Sequence, residues 1–270
     1  KEGKLKGLII SVKDLFDVKG YKTKGGTKFI NDKDAQKDAK CISLIRNAGG
    51  LLLGHTNMTE LAYSGLGINP HYGTPSNPIF KNAVPGGSTS GGAVSIALGV
   101  SDITIGTDTG GSTRIPAAFT GITGFKPTQD SISRKGALIL STSLDSVGLM
   151  AKDVKHCKLG FETMRNKTTL QPYDSNINNI KIIVPKNFGF ENIDAKVEEG
   201  FEAAKNKIIE SGFDVIESNI PLLDKYQKVP LWQFAAVESQ AEYFEAFTSK
   251  KNLIDPNAVS YTHLTLPTKA

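Results

Sequence analysis

The segment Gly106–Pro116, GTDTGGSTRIP, follows an apolar strand-like run, Ile103–Ile105, and leads toward a helical stretch. Outward from it, strand and helix alternate. Leu8–Val12 is a short apolar run, and Ala35–Ala48 places Ile42, Leu44 and Ile45 on a helix closed by Gly49 and Gly50. Leu51–Leu53 follows as a buried strand. This alternation predicts an α/β core. Downstream, the pattern predicts a helix over Asp153–Met164, a strand over Ile180–Val184, a helix over Asp194–Ser211, a strand over Asp214–Ile220 and a helix over Lys225–Phe247. Asp153 and Asp194 serve as helix starts. Arg165–Asn179, polar and Asn-rich, reads as a linker.

The chain has 270 residues, of which 39% are hydrophobic, enough for a real core. The 32 Lys and Arg outnumber the 27 Asp and Glu, but the excess is scattered and forms no nucleic-acid arm. No apolar stretch approaches the ~20 residues that span a bilayer. Cys41 and Cys157 each fall in an amphipathic helix, so a disulfide framework is not expected and a reducing, cytoplasmic setting is. The chain opens almost directly on a strand and lacks an initiating Met, which suggests truncation. Val259–Ala270, VSYTHLTLPTKA, follows no period set up before it. It resembles translated adapter sequence and is left out of the functional reading, His263 included.

Between Asn69 and Gly111 lie loops rich in Pro, Gly, Ser and Thr, broken by a small-residue helix at Gly92–Leu98 and the strand Ile103–Gly106. In GTDTGGSTRIP, Gly110 and Gly111 let the backbone fold so that the N–H groups of Thr109–Ser112 converge, as in an oxyanion hole. Ser112 stands beside those donors, where a nucleophile belongs. A tight turn with a helix-capping Ser is the plainer reading. Val84–Gly92, VPGGSTSGG, packs four glycines and three hydroxyls into nine residues. It lacks the lysine of a P-loop, the G-x-G-x-x-G of a dinucleotide site and the G-x-S-x-G of a nucleophile elbow. It is either a flexible polar loop or the source of a second catalytic hydroxyl.

Lys13 ends the apolar run Leu8–Val12. Buried, it would become a base near neutral pH; at a solvent-facing strand end it would pair with Asp14 or Asp17. His55, His71 and His156 form no H-x-x-x-H pair, and with two scattered cysteines they make no zinc site. Each reads as structural. A serine nucleophile without an evident histidine points to lysine as the base.

Five ordered blocks carry a family resemblance: VKDLFDVKG (12–20), GHTNMTELAYSGLGINPHYGTPSNP (54–78), PGGSTSGGAVSIALG (85–99), GTDTGGSTRIPAAFTGITGFKPT (106–128) and LDSVGLMAKDV (144–154). Together they resemble the amidase signature family of serine hydrolases over roughly residues 5–160. The resemblance implies a mixed, mostly parallel twisted sheet flanked by helices, truncated at both ends. Residues 1–258 would form a single domain with its catalytic core at 5–160 and a partial C-terminal part at 161–258. It assigns Ser112 as nucleophile, Ser88, held by a cis peptide, as relay, and Lys13 as base. The backbone of Thr109, Gly110, Gly111 and Ser112 would form the oxyanion hole, and Asp108 and Arg114 would brace the turn. The common GGSSGG is GGSTSGG here, which makes Thr89 and Ser90 supporting hydrogen-bonders.

The implied activity is hydrolysis of a small-molecule carboxamide through an acyl-enzyme, with no metal or organic cofactor. No direct nucleic-acid or membrane partner is implied; a homodimer is compatible with the resemblance. A glutaminase component of a tRNA-dependent amidotransferase, with partner subunits, is the alternative within the family. A nucleotide-binding protein using the Gly-rich loops is the alternative outside it.

Overall fold

Leu149 and Met150 are neighbours on one strand, and their side chains enter different apolar clusters. Leu149 packs with Ile10, Val12, Ile42, Ile45, Ile103, Ile105 and Cys157, and Met150 packs with Ala93 and Ala117. Successive strand residues point to opposite faces, so this sheet carries helices on both sides. The computed structural model describes residues 3–30, 33–165, 176, 180–229 and 231–256.

Five strands form the main sheet: β1 (Ile9–Lys13), β2 (Leu51–Thr56), β3 (Ile103–Asp108), β4 (Thr123–Phe125) and β5 (Ser146–Ala151), in the order β2-β1-β3-β5-β4. β1 is parallel to both β2 and β3, with Ile10 opposite Ile103 and Lys13 opposite Thr56. β5 runs antiparallel to β3 and β4. The sheet is therefore mixed, with β5 the one reversed strand of the five. Every residue of β3 and of β5 is buried, as befits central strands covered on both faces.

Helices α1 (Lys40–Asn47) and α4 (Val154–Met164) line one face, and α2 (Ser90–Ala97) and α3 (Arg114–Thr120) the other. α2 is fastened by a cluster of buried hydroxyls. Ser11 Oγ lies 3.1 Å from Ser95 Oγ, 3.0 Å from Ser101 Oγ and 2.5 Å from Thr104 Oγ1, and Ser95 Oγ also donates to the Gly92 carbonyl at 2.8 Å. These bonds satisfy polar groups that would be costly to bury alone, and they tie α2 to β1 and β3. The Cys41 and Cys157 thiols are free and buried, and burial pushes them up to about 12 and about 11.

The chain divides into two compact units, Lys1–Thr168 with Trp232–Ala270, and Thr169–Leu231. The second contains the parallel pair β6 (Lys181–Pro185) and β7 (Asp214–Ser218), with α5 (Ala195–Glu210) and α6 (Pro221–Gln227). The first is completed by α7 (Leu231–Glu242), apart from its first residue, and by α8 (Phe244–Ser249).

Asp153 caps α4 by accepting from the His156 amide at 2.9 Å, and Asp194 caps α5 by accepting from the Lys196 amide at 2.9 Å. Two expected helices differ from the sequence reading. The helix expected at Ala35–Ala48 starts at Lys40, because Ala35 and Ala39 spend their backbone groups on the loop at Asp17–Tyr21. The helix expected at Lys225–Phe247 is instead α6, α7 and α8. Pro230 falls between the first two; it offers no N–H and disfavours helical geometry in the residue before it. β4 and β5 are strands that the sequence pattern did not mark. Most of the expected linker Arg165–Asn179, and the tail at 259–270 with His263, lie outside the described residues.

Candidate active site

β1 and β3 run side by side in the same direction, so both end at one edge of the sheet. Lys13 closes β1 and Asp108 closes β3. The reversed β5 begins at that edge, with Ser146 opposite Asp108, which brings Asp145 there as well. Crevices beyond the carboxyl ends of parallel strands are where open α/β sheets bind ligands.

Lys13 is fully buried, and its Nζ donates to Ser88 Oγ at 2.7 Å and to Thr107 Oγ1 at 2.9 Å. Removing an ammonium from water favours the neutral amine. Burial brings Lys13 down to about 7, against an upward pull from Asp145 and Asp108. Near neutral pH the amine is therefore able both to accept and to return a proton.

Ser88 is also fully buried, and the Gly87–Ser88 peptide bond is cis. Its carbonyl accepts from the Thr59 amide at 3.1 Å, while the next amide, Thr89 N–H, donates to the Ser112 carbonyl at 3.3 Å. Thus the two glycine-rich segments are joined through their backbones. Gly106 permits this approach, since a Cβ there would stand 2.8 Å from the Thr89 side chain.

Ser112 is 8% exposed. Among the described residues, its hydroxyl makes no hydrogen bond to Ser88 or any other group, and the Lys13–Ser88 contact is the one link of the expected relay that is formed. Gly111 has φ +129, a conformation that L side chains rarely adopt. Ser112 is not the helix cap. Asp108 serves that end of α3, with Oδ2 accepting from the amides of Thr113 at 3.2 Å and Arg114 at 3.3 Å and from Thr113 Oγ1 at 2.8 Å. Arg114 adds a two-pronged contact, Nε to Oδ2 at 3.0 Å and Nη2 to Oδ1 at 2.8 Å. Burial alone would raise the Asp108 carboxyl; the bonds from Arg114 and Thr113, with the guanidinium charge, outweigh it and hold the group at about 2.

Two expectations need correction. The Gly111 amide donates to Asp108 Oδ1 at 2.8 Å, so it is not free for an oxyanion. Among the described residues, the amides of Thr109, Gly110 and Ser112 donate to no protein acceptor. Among the described residues the Thr89 hydroxyl is buried without a hydrogen-bond partner; its amide makes the link instead. Ser90 Oγ donates to the Asn57 carbonyl at 3.4 Å, and the Gly91 amide donates to the same carbonyl at 2.9 Å.

Sequence reasoning missed Thr107 and Asp145. Asp145 is buried and accepts from Thr109 Oγ1 at 2.6 Å and from the Leu140 amide at 2.9 Å. Burial raises its carboxyl despite those bonds. The histidines bond elsewhere: His55 Nε2 is 2.9 Å from the Phe16 carbonyl, His71 Nε2 is 2.9 Å from Glu60, and His156 Nδ1 is 2.8 Å from Asp153. Among the described residues, no His, Cys, Asp and Glu group of three or more could hold a metal ion, and no helix is long and apolar enough to cross a membrane.

The fold is that of the amidases. A crystal structure of an amidase superposes with a TM-score of 0.87 at 32% identity, covering 97% of this chain and 59% of that one. A glutamyl-tRNA(Gln) amidotransferase subunit of Thermotoga maritima superposes with a TM-score of 0.81 at 26% identity, over 93% of this chain and 59% of that one. The family model described as Amidase matches residues 1–266, and the chain belongs to that family. Among curated relatives, the corresponding glutamyl-tRNA(Gln) amidotransferase subunit of Chromohalobacter salexigens is 39% identical over 231 residues, 80% of this chain and 47% of the relative. That of Pelagibacter ubique is 37% identical over 235 residues, 81% and 48%. The chain thus spans about half the length of these relatives.

Proposed function

We propose that the chain carries the catalytic core, within residues 5–160 of a single amidase domain at 1–258, of an enzyme that hydrolyses a carboxamide C–N bond. The observation that carries this reading is the fully buried Lys13 amine, held 2.7 Å from Ser88 Oγ and brought to about 7. A buried lysine of lowered proton affinity, bonded to a serine hydroxyl, is a base beside a proton source.

In this scheme Lys13 takes the Ser88 proton as Ser88 Oγ takes that of Ser112, and Ser112 Oγ bonds to the carboxamide carbon. The carbonyl π pair moves onto oxygen, where the amides of Thr109, Gly110 and Ser112 receive it. Collapse breaks the C–N bond. The relay run backward protonates the departing ammonia or amine, and water then splits the acyl ester to release a carboxylic acid. The Ser88–Ser112 bond closes in the substrate complex, as catalytic hydrogen bonds commonly tighten there. Family membership and the resemblance of the site blocks support this reading.

A second reading is favoured by the names of the curated relatives: a glutaminase that passes ammonia to partner subunits. Both readings use the same relay. Labelling the protein with a fluorophosphonate and mapping the adduct by mass spectrometry tests it. Modification of Ser112, lost in Ser112→Ala, is the expected result; modification elsewhere, or a labelled Ser112→Ala, refutes it. Glutamine hydrolysis that rises only with added partner subunits and tRNA selects the second reading.

A further inference from the structure

Two carboxylates act on the buried lysine, and they differ in kind. Asp108 is neutralised by the Arg114 guanidinium at 2.8 Å. Asp145, among the described residues, has no ion-pair partner within 4 Å. It lines a small cavity together with Thr107, Leu140 and Tyr243, and Thr107 is the hydroxyl that receives the second Lys13 hydrogen bond. Both Asp145 oxygens accept hydrogen bonds: Oδ1 from the Thr109 hydroxyl at 2.6 Å and Oδ2 from the Leu140 amide at 2.9 Å.

We propose that Asp145 is a positioning residue of this site, gripping Thr109 at the start of the oxyanion turn and standing, among the described residues, as a carboxylate without an ion-pair partner near the Lys13–Thr107 pair. The inference rests on the relay proposed above and adds a residue to it. Asp145 would thereby couple the two halves of the chemistry. The same carboxylate aims the first oxyanion amide through Thr109 and sets how readily the base loses its proton.

The direction follows from charge. A nearby anion favours the ammonium form, so Asp145 pulls Lys13 upward against desolvation. The other groups acting here are Asp108, already paired with Arg114, and Tyr243, whose hydroxyl donates to the Ile139 carbonyl at 2.6 Å and which burial holds neutral well above the usual phenol range. Removing the Asp145 charge therefore lowers the Lys13 midpoint.

The test is a pH titration of the lysine side-chain signals in protein labelled with ¹⁵N-lysine, the Lys13 signal being identified by its loss in Lys13→Met. In Asp145→Asn the Lys13 midpoint falls by about one unit, at the low end of what a close opposite charge does. In Asp145→Glu, which keeps the charge, it stays near the original value. An unchanged or higher midpoint in Asp145→Asn overturns the proposal. Thr109→Val breaks the grip and leaves the carboxylate. It keeps the midpoint and slows fluorophosphonate labelling of Ser112 at high pH by roughly tenfold, less than the ~10²–10³ lost when an oxyanion donor is removed outright, because the amide is displaced and not deleted. Labelling at the original rate overturns the positioning role, and this arm decides the matter if Asp145→Asn does not fold. A protein whose Ser112 never labels refutes the hydrolase reading, yet the Lys13 titration still reads the effect of Asp145.

Discussion

Replacing Lys13 by methionine should change the stability of the fold by an amount that depends on pH, and the sign of the change should reverse. Methionine fills a similar volume without an ionisable group. In the unfolded chain the lysine titrates at 10.5, and in the folded chain at about 7. Between those values the unfolded state binds the extra proton, so the stability of the native sequence rises with pH across that window. The slope is about 1.4 kcal/mol per pH unit. Over the separation of 10.5 and about 7 this comes to roughly 5 kcal/mol, present as a full penalty below the folded value and gone above the unfolded one. Methionine removes the penalty but leaves Ser88 Oγ and Thr107 Oγ1 without their donor, an offset of about 1–3 kcal/mol that does not vary with pH. Lys13→Met should therefore be the more stable protein in mild acid and the less stable one in strong base. Guanidinium unfolding of both proteins at several pH values gives the difference directly. A difference that stays constant would refute the reasoning, because it would mean that the amine keeps its aqueous affinity for protons and is not desolvated.

Other predictions follow from neighbouring contacts. Arg114→Met removes the guanidinium that holds Asp108 at about 2. A depressed carboxylate stabilises above its unfolded value and loses that stabilisation as pH falls through the folded one, so the acid-unfolding midpoint should move to higher pH, as followed by circular dichroism. Gly91→Ala sets a Cβ 2.6 Å from the Asn57 amide nitrogen. Backbone cannot step aside as a flexible side chain would, so a loss of about 1–3 kcal/mol is expected in urea unfolding. Ser11→Val takes the hub from the hydroxyl cluster of Ser95, Ser101 and Thr104. It should cost about 1–3 kcal/mol, and it should slow labelling of Ser112 if α2 holds the Ser88 loop in place.

What could be read from sequence was what lies along the chain. The apolar run into Lys13 and the run into Asp108 marked β1 and β3, and the glycine-rich loops marked the turns that follow. The α/β class and the candidates Lys13, Ser88 and Ser112 came from those local signals and the family resemblance. What depends on pairing was not legible. Thr107 is 94 residues from Lys13, and nothing in ITIGTD distinguishes its hydroxyl from that of Thr104, which faces the Ser11 cluster instead. The alternation of a strand separates the two only once β1 lies beside β3. Asp145 was hidden in the same way, because β5 is a short apolar run of the kind that periodicity cannot assign.

The turn at Thr109–Ser112 shows why the difference matters for chemistry. Four successive amides in TGGS look equivalent in a sequence. In the fold they are sorted by two carboxylates that the turn itself brings near. Asp108 takes the Gly111 amide and those of Thr113 and Arg114 at the start of α3, while Asp145 takes the Thr109 hydroxyl and, among the described residues, the Thr109 amide has no acceptor. The turn therefore presents fewer donors than its length suggests, and Asp145 holds the residue that carries the first of them. A donor held from behind needs no reorganisation when negative charge develops in front of it, as the oxyanion role proposed for this turn requires.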